Sequence, residues 1–289
     1  MPKRTRFDDY KDSYANFQFE LSDEGILLMR CHTDAGPLVW DAESHDRMAD
    51  AFADIAGDRD IKVVIHTGTG ENYNADWGFL AKGSTDDDTV AKSQIPKGFK
   101  PPVEFMDERA WYGRMLIMNL LDIEVPIIAA VNGPCNIHSE IPLLCDIVIA
   151  SDDATFQDAP HYLRGMVPGD GQHIAWPMVV GPNRARYLML TGHTLSAQQA
   201  LEWGAVAEVL PKDRVLDRAW ELARDIAKRP PLATRYTRML FTQNFKRACV
   251  DELSHGIGLE LYAQRQFYPV GGGMGPIKQA WDSDDPMAD

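Results

Sequence analysis

The sequence predicts an α/β protein in which strands alternate with helices around a parallel sheet. Short apolar runs rich in β-branched residues recur at 61–67, 126–131 and 146–150. Segments with the apolar spacing of amphipathic helices lie before and between them, at 41–55 and 104–121. Parallel strands need a crossover connection, which a helix commonly supplies, so this alternation favours parallel pairing.

The N-terminal part begins with a predicted hairpin, because residues 16–21 and 25–33 are apolar or alternating and flank a short polar stretch. The strand at 61–67 ends in a Gly-Thr-Gly turn at 68–70. Residues 72–102 are rich in Asp, Lys, Gly and Pro, which predicts a long loop. Loops of this length often have a functional role.

After the strand at 126–131, a short apolar helical segment is predicted at 141–145. Further helices are expected at 173–180, 184–190 and 196–203, and Ser196 is a suitable N-cap residue. A last strand is predicted at 206–210.

The chain divides into three predicted regions. Residues 1–210 form an α/β core, and residues 211–267 form a helical region that is interrupted at Pro230-Pro231. The tail, 268–289, is rich in Gly, Pro and Asp and is expected to be loosely held.

Composition excludes several classes of function. With 289 residues, 45% of them hydrophobic, the chain can bury a large core. The formal charge of -14 disfavours binding to nucleic acid, which needs clustered cations. No apolar run approaches the length of a membrane span, and the basic N-terminus lacks a following apolar region, so we expect a cytoplasmic protein. The four cysteines lack C-x-x-C spacing and predict reduced, buried thiols rather than a zinc site or disulfides.

Two residues that can support acid-base chemistry follow the strand at 146–150. His161 and Asp170 lie on a turn-rich segment. Imidazole titrates near neutral pH, and a carboxylate on its far nitrogen fixes the tautomer and stabilises the imidazolium. The pair therefore suggests water activation by a general base. On spacing alone, a structural hydrogen-bonded pair is the commoner alternative.

Several motifs occur in an order that points to a known family. They are IIAAVNGP at 127–134, CDIVIA at 145–150, ATF at 154–156, PGDG at 168–171, and LTG at 190–192 followed by ALEWGAV at 200–206. With these motifs, the region from about Phe17 to Lys228 resembles the crotonase (enoyl-CoA hydratase/isomerase) superfamily. The resemblance implies a spiral of ββα units for residues 1–210, and a helical C-terminal region that packs trimers, often paired as hexamers.

Two departures from the family pattern indicate which reaction of the superfamily this chain catalyses. CoA-thioester enzymes of this superfamily usually carry a Gly-rich segment that binds the thioester oxyanion, whereas residues 136–140 read NIHSE. The hydratases also place a catalytic Glu after a Pro where this chain has His161 after Pro160. The pattern is similar to the 6-oxocamphor hydrolase branch, which cleaves a carbon-carbon bond of cyclic β-diketones without CoA.

This resemblance implies roles for individual residues. His161 becomes the general base, Asp170 its orienting carboxylate, and His138 the group that binds the substrate carbonyl or enolate oxygen. Glu260 matches a further pocket carboxylate. The pocket wall is expected from Trp40, Phe79 and Phe156, with Trp176 as a further apolar neighbour.

The resulting hypothesis is a cofactor-independent hydrolase that converts an alicyclic β-diketone to a keto acid by retro-Claisen cleavage. No metal and no cofactor are expected, and the protein is expected to form a homotrimer or a dimer of trimers. An acyl-CoA hydratase or thioester hydrolase is the alternative, and a non-catalytic scaffold is a third reading.

Each assigned residue also has a structural alternative. His138 can be a core histidine, Asp170 a turn residue between two glycines, and Trp40 a packing residue. Glu140 matches another hydratase carboxylate in position, or caps the helix that follows. Five further histidines are predicted to be structural: His45, His66, His173, His193 and His255.

Overall fold

The computed structural model describes residues 4–77 and 102–264. Its first elements are α1 (Phe7–Tyr10), β1 (Phe17–Leu21), β2 (Ile26–Cys31), β3 (Val39–Trp40), α2 (Ala42–Gly57), β4 (Val63–Thr67) and β5 (Asp76–Trp77). The second described range begins with α3 (Val103–Asp122), β6 (Ile127–Val131), α4 (Glu140–Leu143), β7 (Ile147–Ser151) and β8 (Thr155–Phe156).

A 3₁₀ turn at Tyr162–Arg164 follows β8. The chain then continues through α5 (Gln172–Val180), α6 (Pro182–Thr191), β9 (Leu195–Ser196), α7 (Ala197–Trp203) and β10 (Glu208–Leu210). After a second 3₁₀ turn at Lys212–Arg214 come α8 (Val215–Ala227), α9 (Pro231–Ala248), a π-helical turn (Cys249–Leu253) and α10 (Ser254–Gln264).

Six strands form the main sheet in the order β1-β2-β4-β6-β7-β10. The hairpin β1-β2 is antiparallel, and every other neighbouring pair is parallel, with His66 opposite Ala129 and Ala129 opposite Val148. The residues of β4 and β6 are all buried, as expected for parallel strands covered on both faces. The predicted α/β class with helical crossovers is therefore confirmed.

Helices cover both faces of this sheet. On one face, Ile26, Val63 and Ile128 pack with Val215 and Ala219 of α8. On the other face, α2 and α3 contribute to a larger core whose members include Phe52 of α2 and Leu116 of α3. The candidate residues at 136–170 follow β6 and β7, where connections leave the carboxyl ends of parallel strands.

Local signals in the sequence set several helix ends. Asp41 caps α2, since its carboxylate accepts from Ser44 N at 2.8 Å. The predicted cap of α7 is also confirmed, because Ser196 Oγ accepts from Gln199 N at 3.2 Å. The Pro230-Pro231 interruption is confirmed as the break between α8 and α9.

A buried ion pair fastens the C-terminal helices to the sheet. Arg238 of α9 is 2% exposed, and its Nε donates to Asp146 Oδ2 at 2.7 Å. The same oxygen accepts from Ile127 N at 2.7 Å, and Arg238 Nη1 also donates to the carbonyl oxygen of Ile123. The guanidinium therefore links α9 to the end of α3 and the start of β6.

Several elements of the structure were not predicted from the sequence. The two-residue pairs β3-β5 and β8-β9 are too short to show a period of two, and a π-helical turn interrupts the helical pattern before α10. All four cysteines are free thiols, three of them buried. No helix within residues 4–77 and 102–264 combines the length and apolarity that crossing a bilayer requires. Phe79, most of the predicted 72–102 loop and the 268–289 tail lie outside the described residues.

Candidate active site

Two buried histidines come together beyond the ends of β6 and β7. His138 lies in the turn between β6 and α4, and its φ of 49° places it in the left-handed region, which is uncommon for a non-glycine residue. His161 immediately precedes the 3₁₀ turn that follows β8. A strained backbone at a polar, buried position is typical of a functional site.

Carboxylates flank both ring nitrogens of His161. Its Nδ1 lies 2.6 Å from Asp158 Oδ1, and its Nε2 lies 3.3 Å from Asp170 Oδ2 and 3.5 Å from Glu260 Oε1. The Asp158 contact fixes the ring so that Nδ1 carries a proton and Nε2 faces the other two carboxylates. Asp170, predicted to be the orienting carboxylate of His161, does contact the ring, but at Nε2, whereas Asp158 holds Nδ1. The reason is local, because a tight turn brings residues three apart into contact.

His138 shares one of these carboxylates. Its Nδ1 donates to Glu140 Oε1 at 2.7 Å and lies 3.4 Å from Asp170 Oδ2. Asp170 Oδ2 is thus within 3.4 Å of both imidazoles, so the two rings face one compartment. Because Nδ1 of His138 faces carboxylates, Nε2 is the nitrogen that can meet a substrate oxygen.

Trp40 and a third histidine pack on His138. The ring centres of Trp40 and His138 are 4.5 Å apart, and those of His45 and His138 are 5.4 Å apart. His45 Nδ1 lies 3.1 Å from Asp46 Oδ1, and Asp46 also pairs with Arg109 of α3. His45 was predicted to be structural, yet its ring lies at the site.

Close backbone packing brings Glu260 to the site from α10. A Cβ at Gly169 would lie 2.1 Å from the carbonyl oxygen of Gly256 and 3.0 Å from Glu260 Cβ. A Cβ at Gly256 would lie 2.3 Å from His173 Cε1. Only glycine at both positions lets α10 approach this closely, and Glu260 follows Gly256 by one helical turn.

The charges at the site shift each other's titration. Burial alone would lower the pKa of His161, but Asp158, Asp170 and Glu260 outweigh it and raise that pKa well above its ordinary value. Burial alone would also lower the pKa of His138, but the nearby Glu140 and Asp170 outweigh burial and raise that pKa. Both rings therefore favour the imidazolium form.

The carboxylates of the site divide into two kinds. Burial raises the pKa of Glu140 to about 7 and also raises that of Glu260. For Asp170, burial would raise the pKa, but the two imidazoles lower it strongly. Asp170 therefore stays charged, whereas Glu140 can carry a proton near neutral pH, and the pKa of Glu260 is shifted in the same direction as that of Glu140.

Two sets of three donor atoms in the described residues are close enough to hold a metal ion. One consists of His138, Glu140 and Asp170, and the other of His161, Asp170 and Glu260. In each set the donor atoms lie within 4.8 Å of one another.

The predicted apolar neighbours lie in the core beside the site. Phe156 is fully buried and packs edge-on against Trp176, with ring centres 6.4 Å apart. The indole N–H of Trp176 donates to Gln172 Oε1 at 2.9 Å, and Ser139 Oγ donates to the same oxygen at 3.1 Å. This network supports the residue that follows His138.

Two backbone N–H groups after β6 are already hydrogen-bonded within the protein, and so are not free to bind a thioester oxygen. The N–H groups of Asn136 and Ile137 both donate to the carbonyl oxygen of Asn74, at 2.9 and 3.1 Å. The predicted departure from a backbone oxyanion hole is consistent with this bonding.

Comparison with known proteins agrees with this architecture. The model of the enoyl-CoA hydratase/isomerase family matches residues 39–267. A carnitinyl-CoA dehydratase from Salmonella arizonae is 31% identical over 195 residues, which cover 67% of this chain and 68% of that protein.

Solved structures extend the comparison to nearly the whole chain. A β-diketone hydrolase from the cyanobacterium Anabaena sp. PCC 7120, bound to (S)-3-oxocyclohexyl acetic acid, is 41% identical with a TM-score of 0.79, covering 90% of this chain and 97% of that one. An enoyl-CoA hydratase from Mycobacterium avium subsp. paratuberculosis K-10 shares the fold at 23% identity, with a TM-score of 0.70 and coverage of 92% and 96%. The chain therefore belongs to the enoyl-CoA hydratase/isomerase family, within the crotonase superfamily.

Proposed function

We propose that this enzyme hydrolyses a carbon-carbon bond of a cyclic β-diketone to give a keto acid, without a cofactor. The observation that carries the proposal is the position of Asp170 Oδ2, which lies 3.3 Å from His161 Nε2 and 3.4 Å from His138 Nδ1. A base and an oxyanion-stabilising imidazole thus share one buried site. The 41% identity to a β-diketone hydrolase supports the same substrate class.

The reaction needs a base, a cation and no electron sink. In its neutral form, His161 accepts a proton at Nε2 from water as the oxygen adds to one carbonyl carbon. The bond between that carbon and the central carbon then breaks, and its electron pair forms an enolate whose oxygen is stabilised by His138. The imidazolium of His161 returns its proton to the enolate carbon, so water and diketone give one keto acid.

The electrostatics support this division of tasks between the two rings. Glu140 and Asp170 favour the imidazolium form of His138, which suits the ring to a developing negative charge. Asp158 keeps the His161 proton on Nδ1, which directs the lone pair of the neutral ring to Nε2. Trp40 lines the side of His138 and suits an uncharged, alicyclic ligand.

An acyl-CoA hydratase or dehydratase is the second candidate. Its support is the 31% identity to a carnitinyl-CoA dehydratase and the buried carboxylate of Glu140. Two observations weigh against it. Glu140 is engaged by His138 at 2.7 Å, and the amides of Asn136 and Ile137 are already bonded to Asn74.

A panel of substrates separates the two candidates. Purified protein is incubated with monocyclic and bicyclic β-diketones in ¹⁸O-labelled water, and keto acids are followed by mass spectrometry. We expect one labelled oxygen in the new carboxylate, and no change in rate after treatment with a chelator.

The same protein is tested in parallel with enoyl-CoA and carnitinyl-CoA thioesters. Conversion of a thioester, together with no labelled acid from any diketone, would overturn the proposal. His193→Gln serves as the matched control for substitutions at His138 and His161, because the ring of His193 packs against the exposed Tyr187.

A further inference from the structure

We infer that His161, Asp170 and Glu260 form a site for a divalent transition metal ion such as Zn²⁺, and that a bound ion blocks the hydrolytic site. Metal binding follows from the donor atoms alone. Only the inhibition rests on the proposed function.

The distances between donor atoms match those of a zinc site. In a tetrahedral site with Zn–N and Zn–O distances of about 2.0–2.1 Å, two donor atoms lie about 3.3–3.4 Å apart. His161 Nε2 lies 3.3 Å from Asp170 Oδ2 and 3.5 Å from Glu260 Oε1, and all three atoms lie within 4.8 Å of one another. One ion can therefore reach all three with small side-chain movements.

Asp158 completes the arrangement that zinc-binding histidines usually have. Such a ring commonly donates its other N–H to a carboxylate, which fixes the tautomer and makes the ligating nitrogen more basic. His161 donates from Nδ1 to Asp158 at 2.6 Å, so the neutral ring has its lone pair on Nε2, the nitrogen that faces Asp170 and Glu260.

Unpaired oxygens at the same place independently favour a cation. Asp170 is 7% exposed, and its Oδ1 is buried with no hydrogen-bond partner among the described residues. Glu260 Oε2 is in the same situation. A buried oxygen without a partner is costly, and a cation coordinated by these carboxylates would offset that cost. One coordination position remains for water, as in open zinc sites.

The neighbouring donor set fits a metal less well. His138 Nδ1 is 2.7 Å from Glu140 Oε1, the distance of a charge-assisted hydrogen bond and too short for two ligands of one zinc ion. That proton would have to leave before an ion could bind. In the His161 set the donor atoms already have the spacing of ligands, and the neutral ring, whose proton lies on the nitrogen that faces Asp158, presents Nε2 to the ion.

Bound metal and hydrolysis compete for the same lone pair. An ion on His161 Nε2 prevents that atom from accepting a proton from water. The ion also competes with a proton at this nitrogen, so binding should strengthen as the pH rises. A structural site would not show this mutual exclusion.

Metal binding is measured without reference to turnover. The full chain is treated with a chelator, dialysed, and titrated with Zn²⁺ by calorimetry and with Co²⁺ by visible absorption. We expect one ion per chain and the intense d–d bands of a tetrahedral Co²⁺ site. Asp158→Asn should weaken binding by about 10–100-fold, and Glu260→Gln by at least as much.

The control variants are Glu140→Gln, in the neighbouring donor set, and Asp225→Asn on the surface. Both should keep one tetrahedral Co²⁺ site, and circular dichroism verifies that every variant folds. The absence of saturable binding, or a Co²⁺ spectrum that is lost in Glu140→Gln and kept in Glu260→Gln, would overturn the proposal.

A second measurement tests the inhibition. With a diketone substrate, Zn²⁺ should abolish turnover and the chelator should restore it, and full activity with the ion bound would contradict that part. If no diketone is hydrolysed, the Co²⁺ spectrum still tests the site, so the two proposals fail separately.

Discussion

Asp158 Oδ1 lies 2.6 Å from His161 Nδ1, and both side chains are almost completely buried. This contact sets the tautomer of the ring that faces Asp170 and Glu260. It also adds a negative charge beside an imidazole that two other carboxylates already surround. The activity of the site should therefore depend on Asp158, although that residue need not touch the substrate.

Asp158→Asn should change the pH dependence as well as the rate. The pKa of His161 is raised well above its ordinary value, so the neutral base forms, and kcat/KM rises, as the pH increases through that raised pKa. Removing one carboxylate lowers this pKa, so the rising limb should move to lower pH. The loss of orientation should lower the plateau by on the order of 10²-fold. A pH profile with an unchanged rising limb would contradict this role.

His138→Gln should lower turnover more than substrate binding. The variant keeps a hydrogen-bond donor but loses the imidazolium that stabilises the enolate oxygen. We expect kcat to fall by about 10²–10³-fold, with a much smaller change in KM. Steady-state kinetics with a diketone check this expectation against His193→Gln, and an equal rise in KM with kcat preserved would assign His138 to binding alone.

Gly169→Ala should displace Glu260 from His161. The new Cβ would lie 2.1 Å from the carbonyl oxygen of Gly256, so α10 must move. We expect a loss of about 1–3 kcal/mol in unfolding free energy and a clear drop in turnover. Gly258→Ala on the same helix meets no atom within 4 Å and should be neutral or slightly stabilising. Equal behaviour of the two variants in denaturant unfolding would show that the close approach is unimportant.

Arg238→Met should destabilise the attachment of α9. The guanidinium is buried and pairs with Asp146, so the substitution leaves that carboxylate without its cationic partner. We expect the unfolding free energy to fall by about 3–5 kcal/mol. Lys228→Met, which removes an exposed pair with Asp225, should change it by less than about 1 kcal/mol. Chemical denaturation of the two variants gives the comparison directly.

Leu240→Lys should weaken self-association. Leu232, Tyr236 and Leu240 recur every four residues on α9 and are 60%, 55% and 77% exposed. We propose that this row contributes to the contact of a homotrimer, because an exposed apolar row on a helix is typical of an interface. Light scattering should show a smaller species for Leu240→Lys and an unchanged one for Thr237→Lys, an exposed position of the same helix outside the row. Unchanged mass in both variants would place the interface elsewhere.

The strands of the main sheet, the longer helices and several helix ends follow from local pattern. Apolar runs such as Ile127–Val131 and the cap at Ser196 are short-range signals. They depend only on residues close in sequence, so they can be recognised without knowledge of the fold. The two-residue strands could not be predicted, because their pairing depends on neighbours far along the chain.

For the candidate site residues, too, some properties follow from the sequence and others only from the tertiary structure. Spacing and family pattern pointed to His138, His161, Asp170 and Glu260, since their chemical types are visible in the sequence. Their relation to one another is tertiary, because the distances among three buried groups and the half-buried Glu260 arise from loops after different strands and from a helix held by the contact of Gly169 with Gly256. Asp158 carries a local signal, three residues before His161, but only folding shows which nitrogen it meets. Sequence patterns specify which groups are present, whereas long-range packing sets the distances that give those groups their charges and their roles.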